Sequence, residues 1–290
     1  MFRHWPKLRF VLGGVILRHR DFTAAISLLL LLAALALAGC GGSTTPAQSA
    51  QTVKPPSGTG GSGGTGGNVP AGATVIDNVE DTPNWLTCGA CGNDGATGAI
   101  APHSISIGVP SPSEDGRATQ FSIAATVPFT NIYWYQQHTP VRDQLSFLMY
   151  EFDLYIPVGS ENAPQAIEFE CQQILNGWVY NYSWQAIYTM NLWRIFNYGA
   201  KQWESANVSF QHFTPGTWHH MVAEYHNDVT THSVFHDALT VDGTRYPLNI
   251  RHDAFFSGSN DQFTNAIQLD SNLHPDPYSI MVDKMKITYK

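Results

Sequence analysis

Four acidic residues stand at alternating positions on two segments of the chain: Glu151 and Asp153 on one, Glu168 and Glu170 on the other. In an extended strand, residues two apart point to the same face and lie about 6.6–7 Å apart. Glycoside hydrolysis uses two carboxylates at roughly 5–9.5 Å, one of which stays protonated as the acid. If the two strands are neighbours in one sheet, we expect all four acids to meet on its polar face.

Three further polar residues are expected to join this face: Gln172, Gln268 and Asp270. Carboxylate and amide groups form hydrogen bonds with the hydroxyls of a sugar, so the seven residues are candidates for glycan contact. Three interpretations stay open for them: a solvated sheet face, a sugar-contacting acidic groove, or a catalytic site.

Apolar residues alternate with these acids and predict the strands that position them. One segment has Leu148, Tyr150, Phe152, Leu154 and Ile156 at every second position, and the next has Ile167, Phe169 and Cys171. Similar short runs continue to the C-terminus, separated by turn signals such as Asp242-Gly243. This pattern predicts an all-β fold over residues 73–290: a single antiparallel two-sheet β-sandwich.

The composition excludes some classes of protein. Of 290 residues, 43% are hydrophobic and 13% are charged, so the chain can bury a sizeable core. Its 15 Lys and Arg against 23 Asp and Glu give a net charge of −8, which argues against nucleic-acid binding.

The N-terminal region predicts export and membrane attachment. An apolar run over residues 22–39 follows Arg18 and Arg20 and ends at Cys40. Residues 37–40 (Leu-Ala-Gly-Cys) match the lipobox of bacterial lipoprotein signal peptides, which implies a signal peptide over 1–39 and an acylated Cys40. An uncleaved anchor helix is the alternative interpretation, and it also attaches the exported protein to the membrane.

Residues 40–72 are rich in Gly, Ser and Thr, which predicts a disordered, flexible linker. No Asp follows Cys40, which favours the outer membrane or the cell surface of a bacterial envelope over retention at the inner membrane.

Several segments resemble the laminin-G-like branch of the concanavalin A-like lectin/glucanase superfamily. Residues 216–225 (Gly-Thr-Trp-His-His-Met-Val-Ala-Glu-Tyr), followed by 239–243 (Leu-Thr-Val-Asp-Gly), resemble its G-x-W-H-x-V strand and the strand ending in V-D-G. Residues 281–287 resemble its final strand, and residues 75–81 with Trp85 resemble the first strand of many secreted sugar-binding sandwiches. The resemblance implies a jelly roll, but this fold hosts lectins, hydrolases, lyases and adhesion modules alike.

The glucanases of that superfamily carry E-x-D-x-x-E or E-x-D-x-E on one strand. Residues 151–153 (Glu-Phe-Asp) match the first half of this motif, but Leu154, Tyr155 and Ile156 follow. Residues 168–170 (Glu-Phe-Glu) also lack a third carboxylate. The catalytic set of the family is therefore not intact, and catalytic residues stay unassigned.

Aromatic residues form a second candidate cluster, because indole and phenol rings stack on the C–H faces of sugars. We expect Trp134, Tyr182 and Trp184 at a sugar-binding surface, with burial in the sandwich core as the alternative.

The cysteines and acids suggest two further features. In an exported chain, residues 88–91 (Cys-Gly-Ala-Cys) predict a disulfide between Cys88 and Cys91. Cys171 is expected to be a buried free thiol, with pairing to either of those two as the alternative. No metal-binding motif is recognised, although the resemblance implies that calcium could bind at loop ends where Asp77, Asp81 and Asp283 are available.

Together these features predict a surface-tethered lipoprotein whose β-sandwich binds a glycan or cell-surface polysaccharide without cleaving it. A glycoside hydrolase or polysaccharide lyase that uses acids of the polar sheet face is the first alternative. A protein-binding adhesion or structural module is the second.

Overall fold

A computed structural model describes residues 68–88 and 101–290, which belong to one compact unit. The predicted signal peptide, Cys40 and most of the predicted linker lie outside the described residues. Within the described part of the chain, no helix is long and apolar enough to cross a membrane. Those ranges form sixteen β-strands: β1 (Thr74–Ile76), β2 (Leu86–Thr87), β3 (His103–Val109), β4 (Ala118–Ile123), β5 (Asn131–His138), β6 (Leu148–Tyr155), β7 (Pro164–Leu175), β8 (Gly177–Ile187), β9 (Leu192–Asn197), β10 (Gln202–Ser209), β11 (Trp218–Asp228), β12 (Ser233–Val241), β13 (Thr244–Asp253), β14 (Phe255–Ser259), β15 (Gln262–Ser271) and β16 (Tyr278–Tyr289).

The strands form two antiparallel eight-stranded sheets, which confirms the predicted all-β sandwich. Sheet A has the order β13-β12-β11-β6-β16-β4-β3, and β1 also pairs with β16. Sheet B has the order β10-β9-β8-β7-β15-β5-β2, and β14 also pairs with β8. In both sheets, strands that are distant in sequence lie side by side, as Greek-key connections require.

The alternation read from the sequence correctly identifies the inward faces of β6 and β7. Tyr150, Phe152 and Leu154 of β6 are completely buried, as are Phe169 and Cys171 of β7. Phe152 meets Phe169 across the two sheets, with ring centroids 4.5 Å apart. The core therefore lies between the sheets, and the acids that alternate with these residues point to the outside.

Two-residue turns set the register of the hairpins that carry the polar faces. Asn176 and Gly177 join β7 to β8 with φ of 51° and 80°, and Asp242 and Gly243 join β12 to β13 with φ of 48° and 77°. Positive φ at both positions is the requirement of a type I′ turn, for which Asn-Gly and Asp-Gly are favoured. Gly177 is also needed for space, because a Cβ atom there would lie 2.8 Å from the Phe256 ring.

Candidate functional site

The four alternating acids do not meet on one face, because β6 and β7 belong to different sheets. Glu151 and Asp153 lie on the outer face of sheet A, and Glu168 and Glu170 lie on the outer face of sheet B. The expectation of a single four-carboxylate face was therefore wrong. The segment between Tyr155 and Pro164 crosses from one sheet to the other instead of forming a hairpin.

On sheet A, both acids are engaged in ion pairs. His220 of β11 lies opposite Asp153 and contacts it at 2.7 Å through Nδ1, while its Nε2 lies 3.4 Å from Glu151. Hydrogen bonds from these two carboxylates raise the pKa of His220 to about 9, so the imidazole is charged at neutral pH. Lys284 and Lys286 of β16 lie 3.8 and 3.9 Å from Asp153 and Glu151. This arrangement satisfies the acids internally, so it favours a structural role for them.

On sheet B, the structure brings together the other predicted polar residues. The register of β7 and β15 places Glu168 opposite Gln268, and Glu170 opposite Ala266, on the outer face. We call the following set of outer-face side chains the polar row: Glu168, Glu170, Gln172, Gln268 and Asp270. Facing positions of neighbouring strands lie about 4.5–5.5 Å apart, so these side chains can contact one ligand together.

A hydrogen bond between the carboxyl groups of Glu168 and Asp270 forms the most unusual part of the polar row. Burial, together with the nearby charge of Asp270, raises the pKa of Glu168 well above its ordinary value. Burial also raises the pKa of Asp270 to about 6. Two carboxyl groups joined by a hydrogen bond share one proton, and Gln185 of β8 donates a further hydrogen bond to Oε1 of Glu168.

Glu170 of the polar row is held by two hydroxyl groups. Tyr133 of β5 donates to Oε1 at 2.9 Å, and Ser183 of β8 donates to Oε2. Burial, with Glu170 as the next contribution, raises the pKa of Tyr133 and keeps it a hydrogen-bond donor. The small Ala266 on the intervening strand leaves room for Tyr133 to reach across. These two hydrogen bonds hold the carboxyl group of Glu170 in a fixed position beside Glu168.

The three aromatic residues predicted at the surface are in the core instead. Trp134, Tyr182 and Trp184 are only 1%, 0% and 4% exposed, so they cannot contact a glycan and that prediction was wrong. Tyr182 and Trp184 alternate with Ser183 and Gln185, and the polar pair occupies the outer face of β8. Burying the large apolar rings rather than the polar side chains gives the greater hydrophobic stabilisation.

Other aromatic residues flank the polar row on both sides. Tyr133 and Tyr135 of β5 share its face, with ring centroids 6.1 Å apart. On the opposite side, Phe196 of β9 contacts Trp203 of β10 at 5.1 Å and Tyr198 at 5.8 Å. All five are half-buried and so present part of each ring. Tyr133, Tyr135 and Phe196 lie on the face opposite the buried Trp134, Trp193 and Ile195. Residue type gives no signal of this on β5, where both faces carry large rings.

A lysine covers the end of this aromatic flank. The Nζ atom of Lys201 lies 3.3 Å from the ring centroid of Tyr198 and 4.0 Å from that of Phe255. Burial, with the charge of Glu170 as the second contribution, raises the pKa of Tyr198. Phe255, on the exposed strand β14, is 37% exposed. The Tyr198–Phe255 pair is therefore an aromatic surface that an internal cation already occupies.

The cysteines follow the prediction where the structure describes them. Cys88 is disulfide-bonded, whereas Cys171 is a completely buried free thiol, which excludes the alternative pairings of Cys171. Cys91 lies outside the described residues, so the Cys88–Cys91 bond stays a prediction.

No protein-family model matches the sequence, and no curated protein matches it. Solved structures resemble parts of it at low identity. One is a carbohydrate-binding module of the β-sandwich superfamily, at 13% identity and a TM-score of 0.37, covering 71% of this chain and 58% of that chain. A family 11 carbohydrate-binding module from Clostridium thermocellum has 15% identity and a TM-score of 0.35, and the match covers 74% of this chain and 94% of that chain. The alginate lyase Aly36B has 8% identity and a TM-score of 0.40, and the match covers 71% of this chain and 98% of that chain.

Proposed function

We propose that the β-sandwich binds a glycan on the outer face of sheet B, across the polar row and its aromatic flanks. The observation that carries this proposal is the combination of Glu168, Glu170 and Asp270 with half-exposed tyrosine rings on the same face. Carboxyl and amide groups match the hydroxyls of a sugar, while aromatic rings stack on its C–H faces. On the outer face of sheet A, the acids are paired with the basic side chains of His220, Lys284 and Lys286. The acids of the polar row instead form hydrogen bonds with neutral amide and hydroxyl groups and with each other.

The row has both donors and acceptors of hydrogen bonds. The amides of Gln172 and Gln268 can donate to sugar oxygens, whereas the carboxyl oxygens of Glu170 and Asp270 can accept from sugar hydroxyls. A neutral glycan suits this surface, since a polyuronate would place its own carboxylates beside Glu170 and Asp270.

The test is a glycan array followed by a polysaccharide pull-down with the full-length chain, performed with calcium and with chelator. We expect saturable binding to one class of glycan, reduced by Glu170→Gln and unchanged by Glu151→Gln. The second substitution is a matched control, because it changes the same chemical group on the opposite face. Absence of binding under both conditions would contradict the proposal and favour the protein-binding module.

Glycan cleavage is a second candidate, and one observation favours it. Glu168, whose pKa is raised by burial, lies two residues from the hydrogen-bonded carboxyl group of Glu170, and this spacing of about 6.6–7 Å falls within the range used by glycosidases. Gln172 occupies the next outward position, where a third acid would stand. Incubation of the bound glycan with wild type and Glu168→Gln distinguishes the two functions. Turnover that disappears in Glu168→Gln while binding survives would establish an enzyme, whereas no turnover in either protein supports binding alone.

We also propose attachment of this domain to a bacterial envelope membrane through an acylated Cys40. The lipobox at residues 37–40 supports this proposal. Metabolic labelling with a radioactive fatty acid tests it: the full-length chain should incorporate label, and Cys40→Ser should not. Label retained by Cys40→Ser would contradict acylation at this residue.

A further inference from the structure

Two buried histidines lie between the sheets, at the side of the sandwich where β13 of sheet A meets β10 of sheet B. His236 of β12 is 1% exposed and His252 of β13 is 7% exposed, and their ring centroids are 5.5 Å apart. Nε2 of His252 lies 3.3 Å from Oε2 of Glu204, a half-buried residue of β10. This contact joins the edge strand of one sheet to the edge strand of the other, and we call the three residues the histidine junction.

Several polar atoms at the histidine junction are buried without hydrogen bonds. Among the described residues, no hydrogen-bond partner is found for Nε2 of His236, for either ring nitrogen of His252, or for the hydroxyl of Tyr225. Tyr225 of β11 packs with its ring centroid 5.4 Å from that of His236. Buried polar atoms without partners are unfavourable, and water would satisfy them in an open form. Opening of the junction therefore restores hydrogen bonds that the closed form lacks.

The surroundings of the histidine junction favour neutral imidazole rings. Burial lowers the pKa of His236 to about 3, with the nearby His252 as a second contribution. Burial also lowers the pKa of His252, although Glu204 and Asp253 act in the opposite direction. The inward-facing titratable groups on the strands packed against the two rings are Tyr225 of β11, Tyr180 and Tyr182 of β8, Tyr246 of β13 and Glu204 of β10. On the outer face, Asp237 pairs with His226, and Arg251 pairs with Asp253.

Hydrogen bonds connect the histidine junction to the turn that carries Tyr198. Oε1 of Glu204 accepts from the side-chain amides of Asn197 and Gln202 at 2.9 and 3.0 Å, and these two residues pair at the base of the β9–β10 hairpin. The turn also lies against β13, since a Cβ atom at Gly199 would be 3.3 Å from a carbonyl oxygen of that strand. Tyr198 contributes a half-buried ring to the aromatic flank of the polar row. A displacement of Glu204 is therefore transmitted to this flank.

We propose that the histidine junction is a pH-sensitive latch, closed at neutral pH and opened by mild acid, which regulates the glycan-binding face of sheet B. Protonation puts positive charge on rings that are shielded from water, and opening hydrates that charge. Opening also releases the turn over residues 198–201, which removes the Tyr198 ring from its place beside the polar row. The regulatory part rests on the function proposed above, whereas the latch itself is a property of the fold.

The lowered pKa of His236 sets the pH range of the latch. A histidine whose pKa is lowered in the closed form binds its proton less tightly there than in the open form. The closed form is therefore fully favoured above the ordinary pKa of 6.5 and loses stability as the pH falls from 6.5 towards about 3. Between pH 7.5 and pH 5.0, His236 alone should increase the ratio of open to closed form about 30-fold.

Hydrogen exchange of the full-length chain tests the latch, with labelling times scaled to the intrinsic exchange rate at each pH. Between pH 7.5 and pH 5.0, peptides covering residues 197–204 and 249–255 of wild type should lose protection at least tenfold, while peptides of β6 and β7 stay protected over the same times. The loss should be at least fivefold smaller in His236→Phe, whose ring cannot be protonated. His274→Gln is the matched control, because it removes an exposed histidine elsewhere, and it should behave as wild type. Equal loss of protection in β6 and β7, or no loss at the junction of wild type, would overturn the proposal.

Thermal unfolding separates the titration of His236 from a change in packing. Phe occupies the site at every pH, so its effect on packing shifts the Tm by a similar amount at pH 7.5 and at pH 5.0. Removal of the titrating ring should instead make the Tm of His236→Phe relative to wild type about 4–8 °C higher at pH 5.0 than at pH 7.5. His236→Leu repeats the comparison with a smaller side chain. A Tm difference that is the same at both pH values in both variants would contradict the latch.

A bound glycan tests the connection between the latch and the glycan-binding face. A neutral glycan selected on the array should bind the closed form more tightly, so at saturation it should slow exchange of residues 197–204 at pH 5.0 at least tenfold. Binding without this slowing would contradict regulation of the face by the latch. Absence of glycan binding at both pH values would refute the proposed function, whereas exchange measured without glycan would still confirm or overturn the latch.

Discussion

Replacing Asp270 with Asn should stabilise the domain, although the residue is buried and hydrogen-bonded. Asp270 is 8% exposed and lies beside the carboxyl group of Glu168, so its charge is unfavourable in the folded state. Burial raises its pKa from 3.8 to about 6, which corresponds to a destabilisation of about 3 kcal/mol once the group is ionised. Asn keeps an oxygen that can accept from Gln268 and an amide that can donate to Glu168.

The raised pKa determines the sign of the effect of Asp270 on stability and the pH range over which that effect changes. When folding raises the pKa of an acid, the folded state binds the proton more tightly than the unfolded state does. The destabilisation is therefore absent below pH 3.8, grows as the pH rises through about 6, and is complete at pH 7. We expect Asp270→Asn to raise the Tm at pH 7 by about 5–10 °C, for a gain of about 2–3 kcal/mol.

Differential scanning calorimetry of the full-length chain between pH 4 and pH 8 measures this effect, with Asp276→Asn as an exposed control. The difference between Asp270→Asn and wild type should shrink as the pH falls, while the control should stay within about 0.5 kcal/mol of wild type. A destabilised Asp270→Asn, or a stabilisation of the same size at every pH, would refute the shared-proton account of Glu168 and Asp270.

Three further outcomes are expected. Charged His220 should stabilise sheet A by about 1 kcal/mol after solvent screening. This stabilisation is complete below the ordinary pKa of 6.5 and is lost as the pH rises through about 9. His220→Gln should therefore match the stability of wild type in urea unfolding only above about pH 9. Trp184→Ala should destabilise the domain by about 3–5 kcal/mol in the same assay, because it empties a buried site; an unchanged stability would contradict its place in the core. Lys201→Ala should tighten glycan binding measured by calorimetric titration, since it uncovers the Tyr198 and Phe255 rings; weaker binding would instead show that the ammonium group contacts the ligand.

The strands and their inward faces could be predicted from the sequence because period-two alternation reports burial directly. Leu148 to Ile156 and Ile167 to Cys171 illustrate this, since every apolar residue assigned to the core is buried. Alternation does not report which sheet a strand joins, because the outward acids of β6 and β7 have the same pattern whether the strands are neighbours or lie in opposite sheets. For that reason the seven polar residues were expected on one face, whereas the structure places five of them on sheet B and the other two, Glu151 and Asp153, on sheet A.

The aromatic residues of the site could not be assigned from residue type alone. Both faces of β5 carry large rings, so nothing in the alternation of Tyr133, Trp134 and Tyr135 decides which ring is buried. In β8 the buried face could be predicted from the sequence, because Tyr182 and Trp184 alternate with polar residues that belong on the outer face: Asn181, Ser183 and Gln185. Glu80, Asp115 and Asp283 each place a carboxylate oxygen within 4.8 Å of the other two. These residues are up to about 200 positions apart in the chain, so no local spacing in the sequence reveals that they meet.

Calorimetric titration of a glycan identified on the array, with Tyr135→Ala and Glu151→Gln compared to wild type, tests the central claim most directly. Tyr135 lies beside the polar row on sheet B, and Glu151 lies on the outer face of sheet A. The account predicts at least a tenfold loss of affinity for Tyr135→Ala, equivalent to about 1.4 kcal/mol, and unchanged affinity for Glu151→Gln. The opposite result, with loss only in Glu151→Gln, would place the ligand on sheet A and contradict the proposed site.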